Sequence, residues 1–171
     1  MTKQSLRLAT VRDALLLWEW RNDPDVHESA FNGAPIVWES HQTWLAAKLA
    51  SPASRIWILS REGQPVAQAR YDRVGQLAEI GYSVSRSARG AGLGGCVLQA
   101  TAPLACRALS VPRVVGLVKV GNRASVRSFE HAGFRRVGRT SRQGHACFEF
   151  EWVDQAGFRQ APKPTATVTE V

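Results

Sequence analysis

Ala78-Glu79-Ile80-Gly81-Tyr82-Ser83-Val84 leads into Arg86-Ser87-Ala88-Arg89-Gly90-Ala91-Gly92-Leu93-Gly94-Gly95, a strand-like run that breaks into a glycine-rich turn. The first segment has the β-branched and aromatic content of a short strand. Beyond the turn, Leu93, Val97, Leu98, Leu104, Ala105 and Ala108 keep roughly helical spacing. Glycines between a strand and a helix let the backbone approach an anion closely, and the helix N-terminus offers it unpaired N–H groups. The stretch reads as a phosphate cradle.

Charge placement supports this reading. Residues 1–79 hold nine Lys/Arg and nine Asp/Glu, whereas residues 80–129 hold seven basic side chains and no acid. Of the formal +8, therefore, +7 lies in the fifty residues around the cradle. An excess so local suggests a polyanionic ligand at one site rather than general surface basicity. A pI of about 10.3 would also suit a nucleic-acid binder, but a basic face tracking many phosphates would be spread more widely, so no nucleic-acid partner is expected.

The bulk numbers suit one domain of 171 residues with a full core, since 44% of the residues are apolar. Cys96, Cys106 and Cys147 are odd in number and lack metal-type spacing, which fits a reduced, cytoplasmic chain without a metal. The polar N-terminus does not resemble a signal peptide, and the longest uncharged run, residues 90–106, is too broken to span a membrane.

In chain order, residues 5–9 alternate like a strand, and Thr10 with Asp13 forms a capping-box start for a helix that Asn22-Asp23-Pro24 ends. Residues 25–36 show no period. A second helix is expected over Trp38–Leu49, then strands over Arg55–Arg61, Val66–Tyr71 and Leu77–Val84. Alternation puts Gln68 and Arg70 on one face of their strand, and gives Glu79, Gly81 and Ser83 a face in common on theirs. Pro103 predicts a kink or interruption near residues 99–103. Arg113–Val120 reads as a buried strand, Asn122 as a helix cap, and Gly133 as the left-handed residue ending that helix. Two strands, residues 134–138 and 145–153, close a domain of residues 1–154, with a loose tail over 155–171.

Gly90-x-Gly92-x-x-Gly95 has dinucleotide-fingerprint spacing, but no acid lies between Glu79 and Glu130 to hold a ribose. A P-loop fails as well, because no Lys-Ser/Thr pair follows the last glycine. Arg89-x-x-Gly92-x-Gly94 instead resembles the acetyl-CoA pyrophosphate signature of the GNAT acetyltransferase superfamily. Val120-x-Asn122-x-x-Ser125-x-x-x-Phe129-x-x-x-Gly133-Phe134 is similar to that superfamily's second block. The resemblance spans about residues 5–153 and implies an α/β (α+β) GNAT fold: a mixed, mostly antiparallel sheet of about seven strands flanked by about four helices.

It also implies site residues. Main-chain amides around Arg89, Gly90, Gly92, Leu93 and Gly94 would bind the pyrophosphate. Tyr82 and Val84 would meet the pantetheine arm, with Asn122 and Ser125 opposite. At Phe129 many relatives carry a tyrosine that protonates the departing thiolate, and Phe has no proton to give. Trp20, Arg21, Asn22, Gln68 and Arg70 resemble the acceptor-contacting residues of acetyltransferases for nucleotide-linked 4-amino sugars, including the pseudaminic-acid pathway type. For Arg21 a surface ion pair with Asp25 or Glu28 is the competing reading.

Glu79 is the first candidate base, acting through water, and His41 the second, since an imidazole pKa near ~6.5 suits proton removal at neutral pH. The expected activity is acetyl transfer from acetyl-CoA to a primary amine of a small molecule by direct attack, without a cysteine nucleophile. An acetyltransferase of protein N-termini and a non-catalytic acyl-CoA-binding module are the alternatives. Relatives commonly dimerise, so the resemblance leaves a homodimer open.

Overall fold

The computed structural model describes residues 3–155. The proposed tail therefore falls outside the described residues, apart from Gln155. Seven strands form one sheet in the order β1-β2-β3-β4-β5-β7-β6, and only β4 and β5 run parallel.

Strand β1 (Gln4–Leu8) pairs antiparallel with β2 (Ser54–Arg61). After β1 the Thr10 amide donates to the Asp13 carboxylate at 2.8 Å, and Arg7 grips the same carboxylate at 2.6 and 2.8 Å. This box starts a 3-10 turn, Val11–Asp13, that leads into α1 (Ala14–Arg21). Pro24 does more than end α1. It is the first residue of a short helix, α2 (Pro24–Ser29), capped by Asp23, whose carboxylate accepts from the Asp25 amide at 3.0 Å. A proline at the first helical position loses no hydrogen bond the helix needs. Six residues with none buried are too few to display an apolar period, which is why this stretch reads as patternless.

Helix α3 (Trp38–Ala50) precedes the meander β2, β3 (Gln64–Val74) and β4 (Leu77–Val84). Helix α4 (Leu93–Leu109) then packs on the sheet with Val97, Leu98, Ala102 and Ala105 fully buried. The interruption expected at Pro103 does not occur; α4 runs through it. Proline removes one helical hydrogen bond, at a cost of about 3 kcal/mol, and the buried face on both sides of it offsets that cost.

Strand β5 (Arg113–Lys119) is followed by α5 (Arg123–His131), β6 (Arg135–Arg142) and β7 (His145–Val153). Asn122 caps α5 by accepting from the Ser125 amide at 3.0 Å. Gly133, at φ +84°, closes it, with the Phe134 amide donating to the Phe129 carbonyl at 3.0 Å.

The sheet is not continuous along its length. Strands β4 and β5 pair only at Ala78–Val114 and Glu79–Val115 and part beyond them. Phe129 of α5 lies in that gap. A β-carbon on Gly116 would stand 2.3 Å from its Cε1 and 3.1 Å from Ile80 Cγ2, so the ring rests directly on the β5 backbone beside β4. Tyr82, Phe134 and Phe150 surround the ring at centroid distances of 5.8, 4.9 and 5.1 Å. Gly116→Ala should cost about 1–3 kcal/mol by overpacking, read as a lowered denaturation midpoint. An unchanged midpoint would contradict this account of the gap.

Candidate active site

The parting of β4 and β5 makes a slot through the sheet, and a cavity opens on each side of it. Strand alternation sorts the side chains between them. Ala78, Ile80, Tyr82 and Val84 face the core under α4. Glu79, Gly81 and Ser83 face the opposite side with Gln68, Arg70 and Asp72 of β3. The register pairs Arg70 with Gly81 and Gln68 with Ser83, and Gln68 Nε2 donates to Ser83 Oγ at 3.2 Å.

On the α4 side lies a cavity of about 830 Å³. Tyr82, Val84, Arg89, Gly90, Gly92, Leu93, Gly94, Asn122 and Ser125, the nine cofactor candidates, all line it. Gly90 and Gly92 sit at φ +79° and +73°, a conformation that costs other residues about 1–2 kcal/mol. Gly92 caps α4, and the first-turn amides of Leu93, Gly94 and Gly95 have no acceptor within the helix. Gly94 permits a close approach: a β-carbon there would meet Ser128 Oγ at 2.6 Å and Tyr82 Cε2 at 3.0 Å. Unpaired amides, a positive helix end and a cavity this size fit a pyrophosphate with an extended arm.

The Arg89 side chain points away from its own loop. It donates to the Val84 carbonyl and pairs with Asp23 at 3.1 Å and with Asp25, tying α2 to the cradle. Burial opposes ionisation of Asp23, but the hydrogen bonds from Arg89 and from the Asp25 amide outweigh it. The carboxyl sits below the usual range.

On the other side a cleft of about 620 Å³ holds both candidate bases. The Glu79 carboxylate is 43% exposed and lies 3.3 Å from Arg142 Nη1, a partner from the β6–β7 hairpin. His41 is 2% exposed, flanked by Trp38 and Trp44 at 6.1 and 5.5 Å, and its Nε2 has no hydrogen-bond partner. Burial holds the imidazole pKa below its ordinary value, against a backbone hydrogen bond with Ala14.

Of the acceptor candidates, Arg21, Gln68 and Arg70 converge on the cleft. Trp20 and Asn22 do not line it. Trp20 packs on the cluster of Leu17, Leu45 and Ile58, because one step along a helix turns a side chain about 100° from Arg21. Asn22 is a loop clamp: its Oδ1 accepts from the Ile36 amide at 2.8 Å, and its Nδ2 donates to the Ile36 carbonyl at 2.9 Å. The competing reading, an Arg21 ion pair with Asp25 or Glu28, is not found among the described residues; its Nη2 donates to the Asn32 carbonyl at 2.5 Å.

Sequence reading missed Asp72, Lys119 and Arg142, which line the cleft together with Phe31. Lys119 and Arg142 lie over the Phe31 ring at 5.9 and 5.5 Å, and Lys119 also donates to the Glu28 carbonyl at 2.9 Å. Val26, Ser29, Tyr82, Ser83, Asn122 and Ser125 line both cavities, so the two meet at the slot. Cys106 and Cys147 are buried, with burial pushing the Cys106 thiol up to about 11, and Cys96 is half-buried. Among the described residues no cluster of His, Cys, Asp or Glu could hold a metal ion, and no helix is long and apolar enough to cross a membrane.

The split mixed sheet, with a glycine-capped helix at the split and a second cleft behind it, suits an acyltransferase. The chain belongs to the GNAT acetyltransferase family: the acetyltransferase (GNAT) domain matches residues 5–135. It is accordingly an acetyl-CoA-dependent N-acetyltransferase. The finer likeness to the pseudaminic-acid branch finds no support in these comparisons.

The aminoglycoside acetyltransferase AAC(6')-Ib in complex with coenzyme A superposes with a TM-score of 0.77 at 23% identity, over 92% of this chain and 99% of its own. Spermidine N-acetyltransferase from Vibrio cholerae, in complex with CoA and spermine, gives 0.76 at 13%, over 88% and 95%. A GNAT-family acetyltransferase from Streptococcus pneumoniae gives 0.70 at 17%, over 88% and 99%. At these identities the likeness is one of fold. Among curated proteins no sequence matches significantly.

Gly92→Ala should weaken coenzyme A binding about tenfold, because strain of ~1–2 kcal/mol is relieved only by moving the cradle amides. Calorimetry with coenzyme A checks this, and unchanged affinity would contradict the cradle.

Proposed function

We propose that the protein acetylates the primary amine of a small molecule by direct attack on acetyl-CoA, with an amino sugar on a nucleotide carrier as the acceptor. The observation that carries this is the junction of the two cavities, where Tyr82, Ser83, Asn122 and Ser125 border both. An amine in the cleft reaches a thioester in the slot through that opening. A main-chain amide near Val84 polarises the thioester carbonyl.

Glu79 is favoured over His41 as the base because its carboxylate is exposed to the cleft while the imidazole is enclosed. It takes the amine proton through water, and Arg142 fixes its orientation. Phe129 supplies no proton to the thiolate, whose conjugate acid has a pKa near ~8.5, so it leaves with little help. The chain has two tyrosines. Tyr71 is fully buried, its hydroxyl 2.7 Å from that of Thr101, with burial pushing its pKa up. Tyr82 donates to Ser125 Oγ at 3.1 Å beside Phe129 and is the one phenol at the slot.

The acceptors in the solved neighbours, aminoglycosides and spermine, are polycations. This cleft carries Arg21, Arg70, Lys119 and Arg142 against Asp72 and Glu79, which supports an acceptor of the opposite charge.

Thiol release from acetyl-CoA across nucleotide-linked amino sugars, free amino sugars and peptide N-termini tests the reading. Glu79→Gln should lower kcat about 100-fold with little change in acetyl-CoA KM, and Tyr82→Phe should lower it less. Acetylation of peptides alone would move the assignment to protein N-termini. Coenzyme A binding without turnover of any amine would leave a binding module.

A further inference from the structure

We propose that Arg21 and Arg70 form an anion-recognising subsite in the acceptor cleft, so that the acceptor carries a carboxylate or phosphate close to its reactive amine. The inference rests on the reading of this cleft as the acceptor site and adds the chemistry of what it selects.

Arg21 enters the cleft from the end of α1. Among the described residues no carboxylate pairs with it, and its Nη1 is buried without a hydrogen-bond partner. Arg70 comes from β3. Its guanidinium lies 5.3 Å from the centre of the Trp44 ring, and its Nη2 reaches over Gly81, where a β-carbon would be at 3.5 Å. Its Nε approaches Asp72 at 3.0 Å, but that carboxylate is already held by Lys48 and by Ser54, each at 2.6 Å. Arg70 and Lys48 thus share one acid, and Arg21 has none among the described residues.

Burial and the neighbouring charge of Arg70 both hold the Arg21 pKa below its ordinary value, the direction of an under-compensated cation. A charge removed from water without a counter-ion is costly, and a bound anion supplies what the protein lacks. Guanidinium groups suit this role, because their paired N–H donors match the two oxygens of a carboxylate or phosphate.

The register fixes the spacing to the reacting nitrogen. Arg70 is opposite Gly81, two residues beyond Glu79 on the same face. Arg70 and Glu79 are therefore diagonal cross-strand neighbours, ~7–8 Å apart at the backbone. Anion and amine are separated by roughly one sugar ring.

The test has two arms. In the first, kcat/KM is compared within matched pairs: glucosamine against glucosamine 6-phosphate, and 6-aminohexanoate against its amide. The anionic member should be preferred at least about tenfold, mainly through KM, and Arg21→Gln or Arg70→Gln should abolish that preference. The phosphate and carboxylate pairs show which anion is preferred. In the second arm, coenzyme A is held at saturation to fill the cradle, and inorganic phosphate is titrated while the melting temperature is read. Phosphate should raise it in the native protein and not in either variant, each first shown to be folded by its coenzyme A affinity.

Equal rates within both pairs, with phosphate stabilisation the same in variants and native protein, would overturn the subsite while leaving the acetyltransferase reading intact. Phosphate stabilisation lost in the variants, with no amine acetylated, would uphold the subsite and overturn the assigned acceptor class.

Discussion

The phenyl ring of Phe129 sits where β4 and β5 part, against a β5 backbone that Gly116 leaves bare enough to receive it. A seven-stranded sheet would otherwise gain by zipping these parallel strands along their length. The ring prevents that by filling the space with aromatic contacts to Tyr82, Phe134 and Phe150. The far end of β4 is left unpaired toward β5, and its free main-chain groups border a slot. The sheet is held open by packing in the core rather than by anything at the rim.

That opening turns the two-residue period of β4 into a division of labour. Tyr82 and Val84 face the glycine-capped α4 and the larger cavity, while Glu79 and Ser83 face the cleft with Gln68 and Arg70. Helix α2 spans both regions. Its leading acids, Asp23 and Asp25, hold Arg89, and its last turn is tied to β5 by the hydrogen bond from Lys119 to the Glu28 carbonyl. A short helix without a buried residue is thus fixed by charge and hydrogen bonding at each end instead of by a core.

Features set by local chemistry could be read from the sequence. Gly92 at positive φ, Asn122 as a cap, Gly133 as a terminator and the Thr10–Asp13 box each depend on residues within a few positions. Seven of the nine cofactor candidates lie on the turn or at the start of α5, which carry them as rigid units, while Tyr82 and Val84 lie on β4. Features set by tertiary context could not. Pro103 predicts a break that the buried face of α4 overrides. Trp20 and Arg21 are adjacent in sequence, yet only one faces the cleft. Arg142 reaches Glu79 across 63 residues of chain, and no local pattern announces that pairing. The Gly116–Phe129 contact that opens the sheet is likewise visible only once α5 has docked.

The central claim is that coenzyme A occupies the opening that Phe129 maintains, with its pyrophosphate on the α4 amides. Amide hydrogen exchange, followed with and without coenzyme A, reads those main-chain groups directly. Protection should rise over residues 80–84 and 89–95 and stay unchanged in β2 and β7. Binding without added protection in those two segments would contradict the account.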